Sequence, residues 1–258
     1  MTRALRVLGV ALHIAWGFGA CVLLYPVLRP RARLALRQLW ARGVFRILGV
    51  RLRAEPLDIP PGSLVVANHV SWLDALAMHA LLPVSVVAKA DTLAWPLLGR
   101  MLARNETIFV ERRATRRLLA VNAEIGARLS RGERVVVFPE GTTTDGGPPL
   151  AFRPALFQPA VDGRRVVHAL ALRYCDRDGR RSPVAAYIEQ MSLWESLVRI
   201  AAADGIRLEV RACGVQRSPA RRRDAARGAR AAIDARLRAG GAPPAEYPAA
   251  NPLPRYGR

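Results

Sequence analysis

The 258 residues suffice for one large α/β domain with a generous core, and 51% hydrophobic content beside 23% charged excludes wholesale disorder. Lys plus Arg number 40 against 20 Asp plus Glu, a formal charge of +20 carried almost wholly by arginine, since Lys89 is the single lysine. That excess asks for an anionic partner: nucleic acid, an anionic bilayer surface or phosphorylated substrates.

In chain order, Val7 to Leu28 is an uncharged apolar run of 22 residues, flanked by Arg3 and Arg6 before it and Arg29, Arg31 and Arg33 after it. Its length suffices to cross a bilayer, it exceeds an ordinary signal-peptide h-region, and the denser arginines that follow place the remainder in the cytoplasm if it spans. Residues 32–48 space Leu34, Leu36, Leu39, Trp40, Val44, Phe45 and Leu48 among arginines, the pattern of a helix lying at lipid headgroups. We therefore expect an anchor plus basic amphipathic helix over 1–50, a folded domain over 51–238 and a poorly ordered tail over 239–258. Cys21, Cys175 and Cys213 are odd in number and widely spaced, which argues against a disulfide framework or zinc knuckle and fits a reducing cytoplasmic setting.

After Pro60 and Pro61, short apolar runs alternate with helical spacing. SLVVA (63–67), VSVVA (84–88), TIFV (107–110), RVVVF (134–138), VVHALAL (166–172) and VAAYI (184–188) read as buried strands, and RLEVRAC (207–213) as an edge strand. Residues 72–81, 92–102, 115–129 and 221–237 read as helices. The fold class is α/β: a mixed, largely parallel sheet with crossover helices behind an N-terminal hydrophobic module.

Three polar clusters each follow an apolar strand: Asn68-His69 with Asp74, Glu111-Arg112-Arg113, and Glu140-Gly141-Thr142. Strand carboxyl ends line the crevice of an open α/β sheet, so the three loops point to one composite site. His69 and Asp74 are five residues apart, a net rotation of about 140° on a helix, so the two cannot share a helical face. His69 must lie in the turn before the helix, with Ser71 a plausible N-cap and Asp74 in the first turn. There the carboxylate would fix the imidazole tautomer and stabilise the imidazolium, as a general base acting on a hydroxyl requires; Asp74 as a simple cap is the plainer alternative. His79, five residues further on, would scatter the ligands of a His69, Asp74, His79 metal site, and no metal is expected. Arg112 at a strand end suits bidentate phosphate binding. The FPEGTTTDGG stretch lacks GK[S/T] and is no P-loop; Glu140 either accepts hydrogen bonds from a headgroup or ties down its loop. The apolar N-terminus and the lack of a basic and aromatic recognition motif argue against a nucleic-acid partner.

With NHVSWLD, IFVER and VFPEGT in this order, roughly residues 60–175 resemble the glycerolipid acyltransferase family, whose best-known members are 1-acylglycerol-3-phosphate acyltransferases. The resemblance implies His69 as base, Asp74 as its partner, Arg112 as phosphate ligand, and Glu140, Gly141 and Thr142 at the acceptor site. It also implies a lyso-phospholipid acceptor, an acyl-CoA or acyl carrier protein thioester as co-substrate with no further cofactor, and membrane lipids as surroundings. The setting it implies is the cytoplasmic face of a bacterial inner membrane. Two departures bear on the acceptor: Glu106 stands where the second motif usually opens with glycine, and His168 where a fourth motif carries proline. Acylation of a lyso-ornithine lipid or lysophosphatidylglycerol is the same-chemistry alternative; a noncatalytic binder of anionic membranes or nucleic acid is the alternative of another class.

Overall fold

The computed structural model describes residues 2–95, 97–105, 107–110, 115–188, 190–240 and 244. Arg112, Glu106 and most of the tail expected over 239–258 therefore lie outside the described residues. The elements are α1 (Arg3–Leu23), α2 (Pro30–Leu48), β1 (Arg51–Ala54), β2 (Leu64–Ala67), α3 (Leu73–Leu81), β3 (Val84–Lys89), α4 (Leu98–Arg104), β4 (Ile108–Val110), α5 (Thr115–Ser130), β5 (Arg134–Val137), α6 (Gln158–Asp162), β6 (Val167–Cys175), α7 (Leu193–Ala202), β7 (Arg207–Gln216) and α8 (Arg222–Ala239).

The strands form one sheet in the order β1-β7-β6-β2-β5-β3-β4. Every neighbouring pair is parallel except β6 with β7, so the sheet is mixed and largely parallel, as expected. The carboxyl ends of β2, β5, β3 and β4 consequently share one edge, which receives the loops holding the polar clusters. Side chains alternate across the sheet with period two. Val65, Ala67, Val84, Val86 and Val136 meet α1, α2, α3 and α7, whereas Leu64, Val66, Val135 and Val137 meet α5 and α8. Each fully buried Leu, Ile or Phe in these layers contributes about 1.5–3 kcal/mol of transfer free energy.

Three expectations are corrected. VAAYI is not a strand: Ser182 accepts from the Val184 amide, a 3-10 turn runs over Pro183–Ala185, and the Tyr187 amide donates to Val70 O at 2.9 Å. Burial made the run look like a strand, but its amides serve a turn against the His69 loop. RLEVRAC belongs to β7, an interior strand between β6 and β1; the edge is β1, whose alternating arginines hid it. Residues 92–102 are split between a 3-10 turn, Ala90–Ala94, and α4.

The N-terminal helices pack into the domain. Trp40, Val44, Phe45 and Leu48 of α2 enter the core shared with α3 and the sheet, so the apolar face expected at the headgroups is largely turned inward. His13 Nε2 donates to Trp40 O at 2.9 Å, Trp40 Nε1 donates to His13 O at 3.0 Å, and the rings stack at 5.4 Å. The close crossing needs Gly17, because a Cβ there would stand 2.3 Å from Trp40 Nε1. Among the described residues α1 is the one helix long and apolar enough to cross a membrane, and it exposes Leu5, Leu8, Leu12, Trp16 and Leu23.

Candidate active site

The turn after β2 is held at both ends before it presents His69. Asn68 Nδ2 donates to Leu172 O at 2.9 Å and its Oδ1 accepts from Leu172 N at 2.8 Å, locking the strand end to β6. The His69 carbonyl accepts from Thr144 N at 2.9 Å, and its ring stacks on Phe138 at 4.2 Å. Position and plane of the imidazole are thus set from two other strands.

His69 lies in the turn before α3 and Asp74 in its first turn, as their spacing requires, and Nδ1 stands 2.8 Å from Asp74 Oδ2. The same oxygen accepts from Val70 N at 2.6 Å and Ser71 N at 2.9 Å, and Oδ1 accepts from Tyr174 Oη at 2.7 Å. Asp74 is completely buried, so it must hold its charge on these donors. An ionised carboxylate only accepts, hence Nδ1 carries the proton and Nε2 presents a lone pair, a tautomer assigned from the network. No described residue bonds Nε2. The side chain retains 22% exposure, enough to meet a ligand. The helix formally starts after Trp72, which makes no side-chain cap bond, while Ser71 Oγ accepts from Leu73 N at 3.4 Å and Asp74 Oδ2 from Ser71 N at 2.9 Å, the contacts of a cap at Ser71. Capping and partnering His69 are therefore one role.

Glu140 is buried, with Oε1 accepting from His69 N and Oε2 from Leu150 N, both at 2.8 Å. Burial pushes its carboxyl above the usual range while the two amides pull it down. Of the two roles open from the sequence, its contacts are those of a loop tie that fixes the His69 backbone. Gly141 takes φ +73°, a conformation that favours glycine, and the Arg153 guanidinium passes where a Cβ would lie 2.6 Å from Nε. Thr143 Oγ1 donates to Tyr187 O, and Thr142 is exposed.

These residues border a cavity of about 650 Å³. Its polar lining includes His69, Thr142, Thr143 and Arg153; its apolar lining includes Val10 and Ile14 of α1, Trp40 and Val44 of α2, and Leu76 of α3. The His69 imidazole, with Nε2 unbonded by any described residue, thus faces a slot suited to a hydrocarbon chain. His79 also lines it, buried, with Nδ1 unpartnered among the described residues; burial first, and Arg37 second, hold its pKa well below the usual imidazole range. Among the described residues no three His, Cys, Asp or Glu side chains are grouped to hold a metal ion. His168, at the departure in the fourth motif, is a buried member of β6.

Tyr174 and Arg153 escaped sequence reasoning. Tyr174 lies 100 residues from Asp74 and gives no local sign. Arg153 follows the Pro- and Gly-rich loop and resembled any other arginine of a basic chain.

Residues 53–173 match the family model described as Acyltransferase. The chain is 42% identical over 151 residues to the 1-acyl-sn-glycerol-3-phosphate acyltransferase of Neisseria meningitidis serogroup B, covering 57% of this chain and 59% of that protein. It is 37% identical over 163 residues to the lyso-ornithine lipid O-acyltransferase of Rhizobium meliloti, covering 60% of this chain and 55% of that protein. The chain thus matches somewhat more than half the length of these relatives. The fold resembles the crystal structure of the 1-acyl-sn-glycerophosphate (LPA) acyltransferase from Thermotoga maritima, with a TM-score of 0.66 at 16% identity over 92% of this chain and 93% of that one.

Proposed function

We propose that the protein moves a fatty acyl group from a thioester to a free lyso-lipid hydroxyl, a reading supported by the match of residues 53–173 to the Acyltransferase family model. The acceptor is 1-acylglycerol-3-phosphate, acylated at its sn-2 hydroxyl to phosphatidic acid. The carrying observation is the hydrogen-bonded pair of His69 and buried Asp74 at an apolar cavity.

In this reading His69 Nε2 takes the hydroxyl proton as the acceptor oxygen attacks the thioester carbonyl. Asp74 stabilises the imidazolium, and the C–S bond breaks as the collapsing adduct releases the thiolate. The thiolate takes the proton back from His69, leaving an ester and a free thiol. No acyl-enzyme is involved, and the thioester of coenzyme A or acyl carrier protein is the co-substrate rather than a resident cofactor. Arg112 is assigned to the acceptor phosphate, while Glu140, Gly141 and Thr142 shape the acceptor side. The exposed apolar side of α1 enters the bilayer, with the catalytic domain on the cytoplasmic face of a bacterial inner membrane.

A second reading, acylation of a lyso-ornithine lipid, is favoured by the Rhizobium meliloti relative. One experiment tests both: purified protein in mixed micelles with labelled acyl thioester and a panel of lyso-lipids, followed by product identification. Phosphatidic acid from wild type and none from His69→Ala supports the first reading. An acylated ornithine lipid with lysophosphatidic acid ignored supports the second. Full transfer by His69→Ala would overturn the mechanism.

A further inference from the structure

We infer that Arg153, with the Thr142 hydroxyl lining the same cavity, is an anion subsite that holds the acidic group of the acceptor within reach of His69. The inference rests on the acyl-transfer reading above and adds to Arg112 a second basic residue that reads the headgroup's charge.

Among the described residues Arg153 is the one Lys or Arg that lines the cavity containing His69. In a chain of 40 such residues, Arg153, though itself exposed, is set apart by bordering this cavity. Its backbone is pinned, because the Arg153 amide donates to Pro139 O at 2.9 Å. Pro139 follows Phe138, the ring on which His69 stacks at 4.2 Å, so His69 and the Arg153 backbone are referred to two adjacent residues. The side chain lies across Gly141, where a Cβ would approach Nε to 2.6 Å, Cζ to 2.7 Å and Nη2 to 2.9 Å, so the absence of a side chain at that position leaves room for the guanidinium.

The guanidinium is not neutralised from within. No described carboxylate pairs with it, and the neighbouring acid, Glu140, uses one oxygen on the His69 amide and the other on the Leu150 amide. A planar fork with free donors at an apolar slot selects a planar or tetrahedral oxyanion, held bidentately. Thr142, next in sequence to Gly141, also lines the cavity, with a hydroxyl that no described residue bonds. An acceptor seated with its acidic group here leaves its free hydroxyl on the His69 side. The shared chemistry is an oxyanion, supplied by a phosphate monoester or by the carboxylate of an amino-acid headgroup.

The test measures acceptor and donor KM separately for wild type, Arg153→Ala and Arg153→Lys, with lysophosphatidic acid, lyso-ornithine lipid and uncharged monoacylglycerol as acceptors. Binding of glycerol 3-phosphate by calorimetry gives a readout independent of turnover. For Arg153→Ala we expect the KM of the favoured anionic acceptor to rise roughly tenfold or more, as for loss of a charge-assisted pair, with donor KM unchanged. Arg153→Lys recovers part of the loss, and glycerol 3-phosphate binding weakens in step if phosphate is the ligand. Which anionic acceptor loses most identifies the source of the oxyanion. The inference is overturned if acceptor KM stays within about twofold of wild type, if donor KM rises instead, or if monoacylglycerol is affected as strongly as the anionic acceptors. Failure of the acyl-transfer reading is distinct: wild type then acylates no lyso-lipid, while the calorimetry still reports whether Arg153 binds the anion.

Discussion

Tyr174 donates its hydroxyl to Asp74 Oδ1 at 2.7 Å, the oxygen that His69 leaves unused. Burial first, and then the Asp74 charge, hold the phenol well above its usual range, so it remains a donor at neutral pH. Tyr174→Phe keeps the ring and strands one carboxylate oxygen, at a cost of about 1.5–3 kcal/mol for a bond to a charged group. We expect a lower Tm and a kcat reduced about tenfold or more on the scale of that energy. A lower Tm with kcat unaltered would reduce Tyr174 to a packing residue.

Asp74→Asn separates charge from geometry. Asn Oδ1 can occupy the Oδ2 position and accept from Val70, Ser71 and His69, while its amide donates to a Tyr174 hydroxyl that rotates to accept. The fold survives because every bond has a substitute. The imidazolium loses its counter-charge, and kcat falls roughly 10²- to 10⁴-fold, the range of a general-base contribution. Stopped-assay kcat beside circular dichroism checks both halves, and an unfolded variant would refute the compensating rotation.

Glu140→Gln tests whether this carboxylate ties loops or meets the acceptor. Glutamine can accept from one of the two amides, and its own NH₂ then faces the other donor, leaving two buried donors in conflict. We expect a loss of about 1–3 kcal/mol in stability and a lower kcat with every acceptor, since the His69 backbone is what moves. Were Tm unchanged and only the KM of one acceptor raised, Glu140 would contact the headgroup.

The strands that build the site were legible because buried parallel strands are nearly continuous apolar runs, as in Leu64–Ala67 and Arg134–Val137. The turn carrying His69 was legible for a geometric reason, since a five-residue spacing cannot serve one helical face. β1 was hidden because only Ala54 of its four residues is buried. Helix α7 carried a readable sign, the capping box of Ser192 and Glu195, which the apolar-run reading passed over. Tyr174 and Arg153 depend on contacts between segments far apart in the chain, and no local pattern announces such contacts. The inward turn of Trp40 and Val44 was missed because an apolar helix face looks the same whether lipid or a sheet covers it.

His79 confers an acid sensitivity that can be removed by one substitution. It is buried in α3 with Nδ1 unpartnered among the described residues, and its pKa is held well below the usual imidazole range. As pH falls through about 6.5 the unfolded chain takes up a proton at this position, whereas the folded chain does not until its own, lower pKa is reached. Stability present above pH about 6.5 is therefore lost on acidification, at up to about 1.4 kcal/mol per pH unit between the two pKa values. His79→Leu removes both the titration and the stranded nitrogen while keeping an apolar side chain of similar bulk in the wall. We expect Tm at pH 7.5 to be equal to wild type or higher, and the fall in Tm between pH 7.5 and 5.5 to be distinctly shallower in the variant. Since His168 is likewise held below the usual range by burial, some slope persists in the variant, and His168→Leu in the same background flattens it further. Parallel Tm curves for wild type and His79→Leu would show that the imidazole is protonated, or reached by water, in the folded state.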